Sequence, residues 1–428
     1  MSDLDDVTSA ADTAEVMRPL EGVRICLVFE HCLSHYTRTR QQIAALEQAG
    51  AVVQLLGQNE APCAPAHIAA TRAPLLRFTH IPDPVPPSTL KWRVPRGVDN
   101  RLRDRKRKRI VAEISRGITA QRHEAIRKIA AEVDLFWVVD YPSLPDVVAA
   151  LDQGDAKVLY ETVDLVTEYE YEGPEARLAL LADEQRLIAK VDGFVTASDS
   201  YADYYMDKYG GRELARRPVV LDNMPARILD SPKSAKKPYR LLFMGSLMFD
   251  RPLVELIDAM SKIQSNVTLT FQGKNYAAGV PERRIEELGL QDRVFLLEPC
   301  EPDVTVDSAG EFDIGIVALK GENENERRAS TSKLFTYMAS GLAVLGSDLP
   351  GIASVINKYG VGQLVDGMGP DEWAEAIDRM AAQPESVIDD MRRRSIEAAR
   401  LHSWKREGPA FIEEFVRALG HSDSRSGR

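Results

Sequence analysis

The segment that is most informative about the fold is STSKLFTYMASGLAVLGSDLPG, from Ser330 to Gly351. Its polar start and the apolar spacing that follows predict a short helix that begins near Lys333 and ends at Gly341. Residues 342–345 are apolar on both faces, which is typical of a central strand in a parallel sheet. The stretch therefore predicts one helix and one buried strand of an α/β domain.

The start of this helix has the chemistry of an anion site. The first backbone N–H groups of a helix have no partners within it, and the helix dipole is positive there. Thr331 and Ser332 lead into Lys333, which carries a positive charge in a turn where structural helices more often have Asp or Glu. Phosphate-bearing ligands bind at such places in open α/β sheets. An ordinary capped helix is the alternative.

Composition narrows the class of protein. The chain has 428 residues and a formal net charge of −11 at pH 7. The length predicts two or three domains, and the acidic balance argues against generic nucleic-acid binding. The four cysteines form no CxxC pair and no zinc-ligand pattern. This predicts a chain without a bound metal in a reducing, cytoplasmic environment.

The order of strands and helices predicts two domains. Apolar strands alternate with helical segments from residue 23 to residue 221, and a second such series begins at residue 239. Two alternating runs predict doubly wound, Rossmann-like domains at 19–225 and 226–400, with a ligand cleft between them. A helix at 401–419 follows. Polar, disordered tails are predicted at 1–18 and 420–428, without a signal peptide or an apolar run of the roughly 18 residues that span a bilayer.

Polar side chains follow the strands of the first half. Asp140 and Asp164 end neighbouring strands, so either could act as a general base toward a hydroxyl group. The alternative for each is helix capping or a hydrogen bond to the backbone. A second polar group follows the first strand and either contacts a ligand or forms a capped polar loop. Its members are His31, His35, Tyr36, Arg38 and Arg40.

The densest basic cluster of this acidic chain is Lys91–Arg109, in which Trp92 is interleaved. Such a segment is expected to contact an anionic membrane surface, a lipid-diphosphate acceptor or an acidic glycan. A solvated helix face paired with the acidic residues of the protein is the alternative. Nucleic acid is a poorer partner, because no aromatic stacking platform accompanies the charge.

Three motifs together carry a family resemblance. They are SKLFTYMASGLAVLGSDLPG at 332–351, GSLMFDRP at 245–252 and HSW at 402–404. The first is similar to S-K-L-x-E-Y-M-A-x-G-x-P-V-V-x-S-x-x-x-G, the second to G-R-L-x-x-x-K-G and the third to F-S-W. Over residues 22–418 the chain thus resembles the GT-B glycosyltransferases, especially the family-4 group of retaining sugar transferases.

This resemblance implies a fold and an activity. The implied GT-B fold has two Rossmann-like domains facing across a cleft and a last helix that packs back on the first domain. The implied reaction moves a sugar from a UDP- or GDP-sugar to a glycan, lipid-linked or small-molecule acceptor, with retention and without a metal or other cofactor. The first domain would hold the acceptor and the second the donor.

The resemblance also implies roles for individual residues. Arg251 and Lys333 would stabilise the negative charge of the leaving nucleotide, beside Asp140 and Asp164 on the acceptor side. Donor contacts are implied for Gly245, Ser246, Arg251, Gln272, Gly273, Glu298, Thr331, Ser332, Lys333 and Thr336.

In its second half the chain departs from the family pattern at three positions. The glutamate that usually holds the ribose is Thr336, and the arginine of the G-R turn is Ser246. An earlier family glutamate falls on Arg328, with Glu324 and Glu326 nearby. These departures leave two alternatives, which are a non-catalytic GT-B homologue that serves as a binding or scaffold subunit and a sugar-nucleotide epimerase. The sequence does not predict the oligomeric state.

Overall fold

The computed structural model of the chain describes residues 18–29, 37–57, 75–77, 120, 123–151, 154–169, 174–249, 251–301 and 304–420. The basic cluster Lys91–Arg109 lies outside the described residues, as do His31, His35 and Tyr36. So do the predicted tails, apart from Arg18 and Gly420. In the part that is described, no helix is both long and apolar enough to cross a membrane.

A seven-stranded sheet with only parallel pairings forms the centre of the first domain. Its strands are β1 Arg24–Val28, β2 Val52–Gly57, β3 Leu75–Arg77, β4 Leu135–Val139, β5 Lys157–Thr162, β6 Gly193–Thr196 and β7 Val219–Val220. They lie in the order β3-β2-β1-β4-β5-β6-β7. The chain reverses its direction of travel across the sheet between β1 and β4, and a ligand crevice opens at such a point.

Helices cover both faces of this sheet. They are α1 Thr37–Gln48, α2 Leu144–Ala150, α3 Pro174–Ile188 and α4 Asp199–Tyr209, and residues 123–129 are helical as well. All five residues of β4, LFWVV, are buried. A strand between two helical layers must be apolar on both faces, which is why β4 shows no polar alternation.

The second domain repeats this plan with six parallel strands in the order β10-β9-β8-β11-β12-β13. They are β8 Arg240–Met244, β9 Thr268–Gln272, β10 Val294–Leu297, β11 Ile314–Val317, β12 Ala343–Ser347 and β13 Gly362–Val365. Its helices are α5 Leu253–Lys262, α6 Val280–Glu287, α7 Thr305–Ala309, α8 Glu324–Arg328, α9 Ser332–Ala339, α10 Pro350–Tyr359, α11 Pro370–Ala382 and α12 Glu385–Leu401. The order reverses between β8 and β11, which places a second crevice beyond the end of β8.

The opening stretch folds as its pattern predicts. α9 and β12 are the helix and the strand, and all five residues of β12 are buried. Gly341 has a φ of +66°, the left-handed conformation that ends helices. Nearby, the short helix α7 begins at Thr305. Its segment TVDSA is short and has no apolar periodicity, so the sequence pattern does not predict a helix there.

The last helix, α13 Trp404–Gly420, returns to the first domain. Its apolar face reaches the first sheet, where the Trp137 ring stands edge-on to Phe411 and Phe415 with centroids 5.7 and 5.8 Å apart. The helix continues through Gly420, so the predicted C-terminal tail begins one residue too early.

A buried carboxylate fixes this helix in place. Glu414 is fully buried and accepts a hydrogen bond from the Phe194 backbone N–H at 2.8 Å. Arg216 and Arg417 each donate to its Oε2 from 2.6 Å. Two cations and a backbone donor offset the cost of burying this charge.

We expect Glu414→Ala to lower the free energy of unfolding by about 3 kcal/mol, because Arg216 and the Phe194 N–H lose their buried partner. Denaturant titration measures the change. Glu413→Ala is the matched control, since that neighbour is exposed and carries the same charge. Equal effects of the two substitutions would show that the buried ion pair does not hold the helix.

Candidate functional site

Two glycines bring the ends of β8 and β9 together. Gly245 follows β8 with a φ of +125°, and its N–H donates to the Gln272 carbonyl at 2.9 Å. A Cβ on Gly273 would lie only 1.9 Å from the Gly245 carbonyl oxygen. Any side chain at Gly273 would push the two turns apart. The predicted residues Gly245, Gln272 and Gly273 therefore lie together at the crevice of the second domain.

Lys333 lies beside this pair of turns. Its Nζ is 4.3 Å from the centroid of the Phe243 ring on β8, a cation–π distance. A Cβ built on Gly245 would be 4.0 Å from the same Nζ. Tyr337, one turn further along α9, accepts a hydrogen bond from the Met244 N–H at 2.7 Å. This bond ties α9 to the end of β8, so the helix start and the Gly245 turn share one side of the crevice.

Thr331 is the residue from which α9 starts, and its conformation is strained. Its φ is +36°, which side chains other than glycine rarely adopt. Its Oγ1 is buried and has no hydrogen-bond partner among the described residues. An unsatisfied buried hydroxyl costs stability, and strained residues of this kind cluster where ligands bind. Ser332, the next residue, is exposed.

The remaining predicted donor contacts are spread around the same crevice. Arg251 lies in the β8–α5 loop, with its Nη1 4.0 Å from Glu326 Oε1 on α8. Gln272 is buried, and within the described part of the chain its Oε1 has no hydrogen-bond partner. Ser246 and Glu298 are exposed at the ends of β8 and β10.

Thr336 replaces the expected ribose-binding glutamate, and its hydroxyl is partly committed. Thr336 Oγ1 donates to the Ser332 carbonyl at 3.0 Å within α9. Only the acceptor lone pairs of the hydroxyl remain for a ligand. A carboxylate can accept two hydrogen bonds from a ribose, and Thr336 does not offer that pair of acceptors.

Asp140 stands at the crevice of the first domain, directly after β4. Its φ of +61° is unusual for a residue with a side chain. Its Oδ1 accepts hydrogen bonds from the N–H groups of Val163 at 2.8 Å and Asp164 at 3.3 Å. Burial and the charge of Asp164 raise the pKa of Asp140 to about 7. A carboxyl group with this pKa can exchange a proton near neutral pH.

Of the polar residues predicted after β1, the structure describes Arg38 and Arg40. Arg38 is buried and pairs with the buried carboxylate of Glu161 on β5, which also accepts hydrogen bonds from Gln42 and Trp137. Arg40 is half-buried on α1. The ion pair with Glu161 supports a structural role for Arg38.

Asn325 is a site residue that sequence reasoning missed. It lies on α8 in the second domain, yet its Nδ2 is 3.4 Å from Asp164 Oδ1 and its Oδ1 accepts a hydrogen bond from the Leu165 N–H at 2.7 Å. It thereby connects the loop after β5 in the first domain to the segment that precedes Thr331. The surrounding sequence, ENENERR, is uniformly polar and contains no signal that distinguishes this residue.

One group of described residues has the composition of a metal site. Asp222, His402 and Glu407 offer ligand atoms within 4.8 Å of one another. His402 Nδ1 lies 2.5 Å from Asp222 Oδ2 and 3.1 Å from Glu407 Oε1. Burial lowers the pKa of His402, but its hydrogen bonds to the two carboxylates outweigh this and raise that pKa to about 11. A protonated imidazole has no lone pair for a metal, so the cluster is better described as an ion pair where β7, α12 and α13 meet.

Comparison with known proteins finds a family that the second domain matches. Residues 226–402 match the model of the glycosyl transferases group 1. A D-inositol 3-phosphate glycosyltransferase of Xylanimonas cellulosilytica is 24% identical over 277 residues, which is 59% of this chain and 63% of that protein. The chain spans 30–63% of the length of the curated relatives that it matches.

Solved structures show the fold of the whole chain. A glycosyltransferase from Rickettsia africae superposes with a TM-score of 0.67 at 12% identity, covering 94% of this chain and 99% of that one. The Anabaena protein HepE, solved with UDP and glucose, gives a TM-score of 0.62 at 14% identity and covers 92% and 99%. The fold and the family resemblance predicted from the sequence are therefore confirmed. The chain has the GT-B fold, and its residues 226–402 are similar to the glycosyl transferases group 1.

Proposed function

We propose that this protein is a glycosyltransferase that moves a sugar from a nucleoside-diphosphate sugar, UDP- or GDP-linked, to an acceptor, with retention of configuration. The observation that carries the proposal is the juxtaposition of Gly245 with Lys333 at the strained start of α9. A side-chain-free turn, an ammonium group and a helix start together form a site for a diphosphate.

The donor side supplies the chemistry of leaving-group stabilisation. As the bond from the sugar to the diphosphate breaks, negative charge builds up on the diphosphate. In this proposal Lys333, Arg251 and the N–H groups at the start of α9 stabilise that charge, and the buried Thr331 hydroxyl adds a hydrogen-bond donor. In this proposal no metal and no cofactor other than the donor take part.

The acceptor side supplies a base. Asp140 stands beside Asp164 at the carboxyl end of the first sheet, with a pKa of about 7. In the proposed reaction its carboxylate accepts the proton of the attacking hydroxyl group. The curated relatives are named for D-inositol 3-phosphate, which favours a phosphorylated polyol among the small-molecule acceptors. A glycan or lipid-linked acceptor, with the basic cluster Lys91–Arg109 on an anionic membrane surface, belongs to the same proposal.

A non-catalytic binding subunit is the second candidate. It is favoured by Thr336, whose hydroxyl donates within α9, and by Arg328, whose Nη1 donates to the Ser200 carbonyl of the first domain at 3.4 Å. Two positions where the family places glutamates thus lack a carboxylate. Incubation with a panel of nucleotide sugars and cell extract distinguishes the candidates, because only the enzyme releases free nucleotide in an acceptor-dependent way.

Lys333→Ala and Arg251→Ala should each weaken nucleotide binding roughly 10- to 100-fold, because each removes a charge-assisted contact to the diphosphate. Isothermal calorimetry with UDP and GDP measures the affinities. Lys262→Ala is the control, since that ammonium is exposed and paired with Asp371 on the surface of the same domain. Wild-type nucleotide affinity in both variants would rule out the proposed donor site.

The transfer rate should depend on pH through Asp140. A base must be deprotonated to act, so kcat/KM should rise with pH up to about 7 and level off above it. Asp140→Asn should lower kcat by roughly 10²- to 10⁴-fold and leave donor affinity unchanged. The exposed Asp155→Asn is the control. A flat wild-type profile between about pH 6 and about pH 8 would remove Asp140 from the mechanism.

A further inference from the structure

The side chain of Asn325 belongs to one domain and is hydrogen-bonded by the other. Its Oδ1 accepts from the Leu165 N–H at 2.7 Å and from the Tyr201 hydroxyl at 2.6 Å, and its Nδ2 faces Asp164 Oδ1 at 3.4 Å. The residue is only 8% exposed, while Leu165 and Tyr201 are 0% and 2% exposed. All three partners of this amide lie in the first domain, so the contact is a built interdomain joint.

Arg328 makes a second contact with the first domain from the same short helix. Its Nη1 donates to the Ser200 carbonyl at 3.4 Å, and its guanidinium lies 5.3 Å from the centroid of the Tyr204 ring. Positions 325 and 328 are three residues apart, so they lie on one face of α8. That face rests on α4 and on the loop after β5.

Another face of α8 is fixed within the second domain. Glu326 Oε2 accepts from the Gly321 N–H at 2.9 Å and the Glu322 N–H at 3.2 Å, and its Oε1 is 4.0 Å from Arg251. A Cβ on Gly351 would lie 2.3 Å from the Arg328 carbonyl, so the start of α10 packs directly on the end of α8. A shift of α8 would therefore displace Arg251 and Thr331. Thr331 lies three residues after the end of this helix.

We propose that Asn325 is a positioning residue that sets the register of the two domains. Through it, the Asp140–Asp164 edge is held opposite the Thr331–Lys333 edge of the cleft. If the amide is removed, the Leu165 N–H and the Tyr201 hydroxyl lose their partner, and water can satisfy them only if the cleft opens there. The structural part of this inference stands by itself, and its consequence for sugar transfer rests on the proposed function.

Hydrogen exchange gives a direct readout of the joint. In Asn325→Ala the amide of Leu165 should exchange at least tenfold faster than in the wild type, because its acceptor is gone and the segment opens. Amides of β5 and β12 should keep their protection, which shows that the variant folds. Gln185→Ala is the matched control, because that amide donates to Glu213 within the first domain.

Kinetics separate a positioning role from a general structural one. Asn325→Ala should lower kcat roughly tenfold while the calorimetric affinity for the nucleotide stays within about twofold. Tyr201→Phe removes one partner from the other domain and should cause a smaller fall of the same kind. The double variant should be no slower than Asn325→Ala, because both changes disrupt one contact.

Unchanged exchange at Leu165 in Asn325→Ala would overturn the inference, and so would additive effects of the two substitutions. A loss of nucleotide affinity equal to the loss of kcat would also overturn it, since the residue would then act on the donor site itself. If the wild type shows no sugar transfer with any donor, the proposed function fails, and the exchange experiment still decides whether Asn325 joins the domains.

Discussion

The close approach of two glycine turns is the constraint on which the candidate site depends. Because neither Gly245 nor Gly273 has a side chain, the ends of β8 and β9 meet backbone to backbone. That contact leaves the crevice side of the Gly245 turn open, and the Lys333 ammonium occupies its border above the Phe243 ring. The Tyr337 hydroxyl accepts a hydrogen bond from the end of β8, and this bond holds the positive start of α9 beside the turn. The anion-binding character of the crevice follows from backbone geometry as much as from charge.

The two domains are joined by contacts of different chemistry. Far along the chain, α13 carries Glu414 into the first domain, where arginines neutralise it, and His402 forms an ion pair with Asp222 at the crossover. At the cleft itself the joint is a neutral amide, Asn325, inserted among groups of the first domain. A neutral hydrogen-bonded group can be exposed to water at less cost than a buried ion pair. The domains are thus joined by buried ions at the crossover helix and by an amide at the cleft.

Sequence patterns anticipated most of the fold and brought several residues of the candidate site together. Apolar strands alternating with helices predicted the two doubly wound domains, and the glycine turn with Lys333 predicted the crevice that we propose for the donor. The same reasoning gave equal weight to Ser246 and Glu298, which are exposed, and it missed Asn325. Asn325 was missed because its backbone partner, Leu165, lies 160 residues away in the chain. A motif constrains neighbours in sequence, whereas a joint between domains is defined by residues that meet only after both have folded.

The amino-acid sequence alone was enough to predict the βα alternation, the positions of the turns that require glycine and the presence of a cation at a helix start. These are local properties, because backbone conformation and the apolar face of an element depend on residues a few positions apart. The folded structure was needed to show that the Thr331 hydroxyl is buried with no partner among the described residues, that burial and Asp164 raise the pKa of Asp140 to about 7, and that Arg38 pairs with Glu161. Burial, charge proximity and hydrogen-bond satisfaction depend on which distant segments pack together, and those distances exist only in the folded chain.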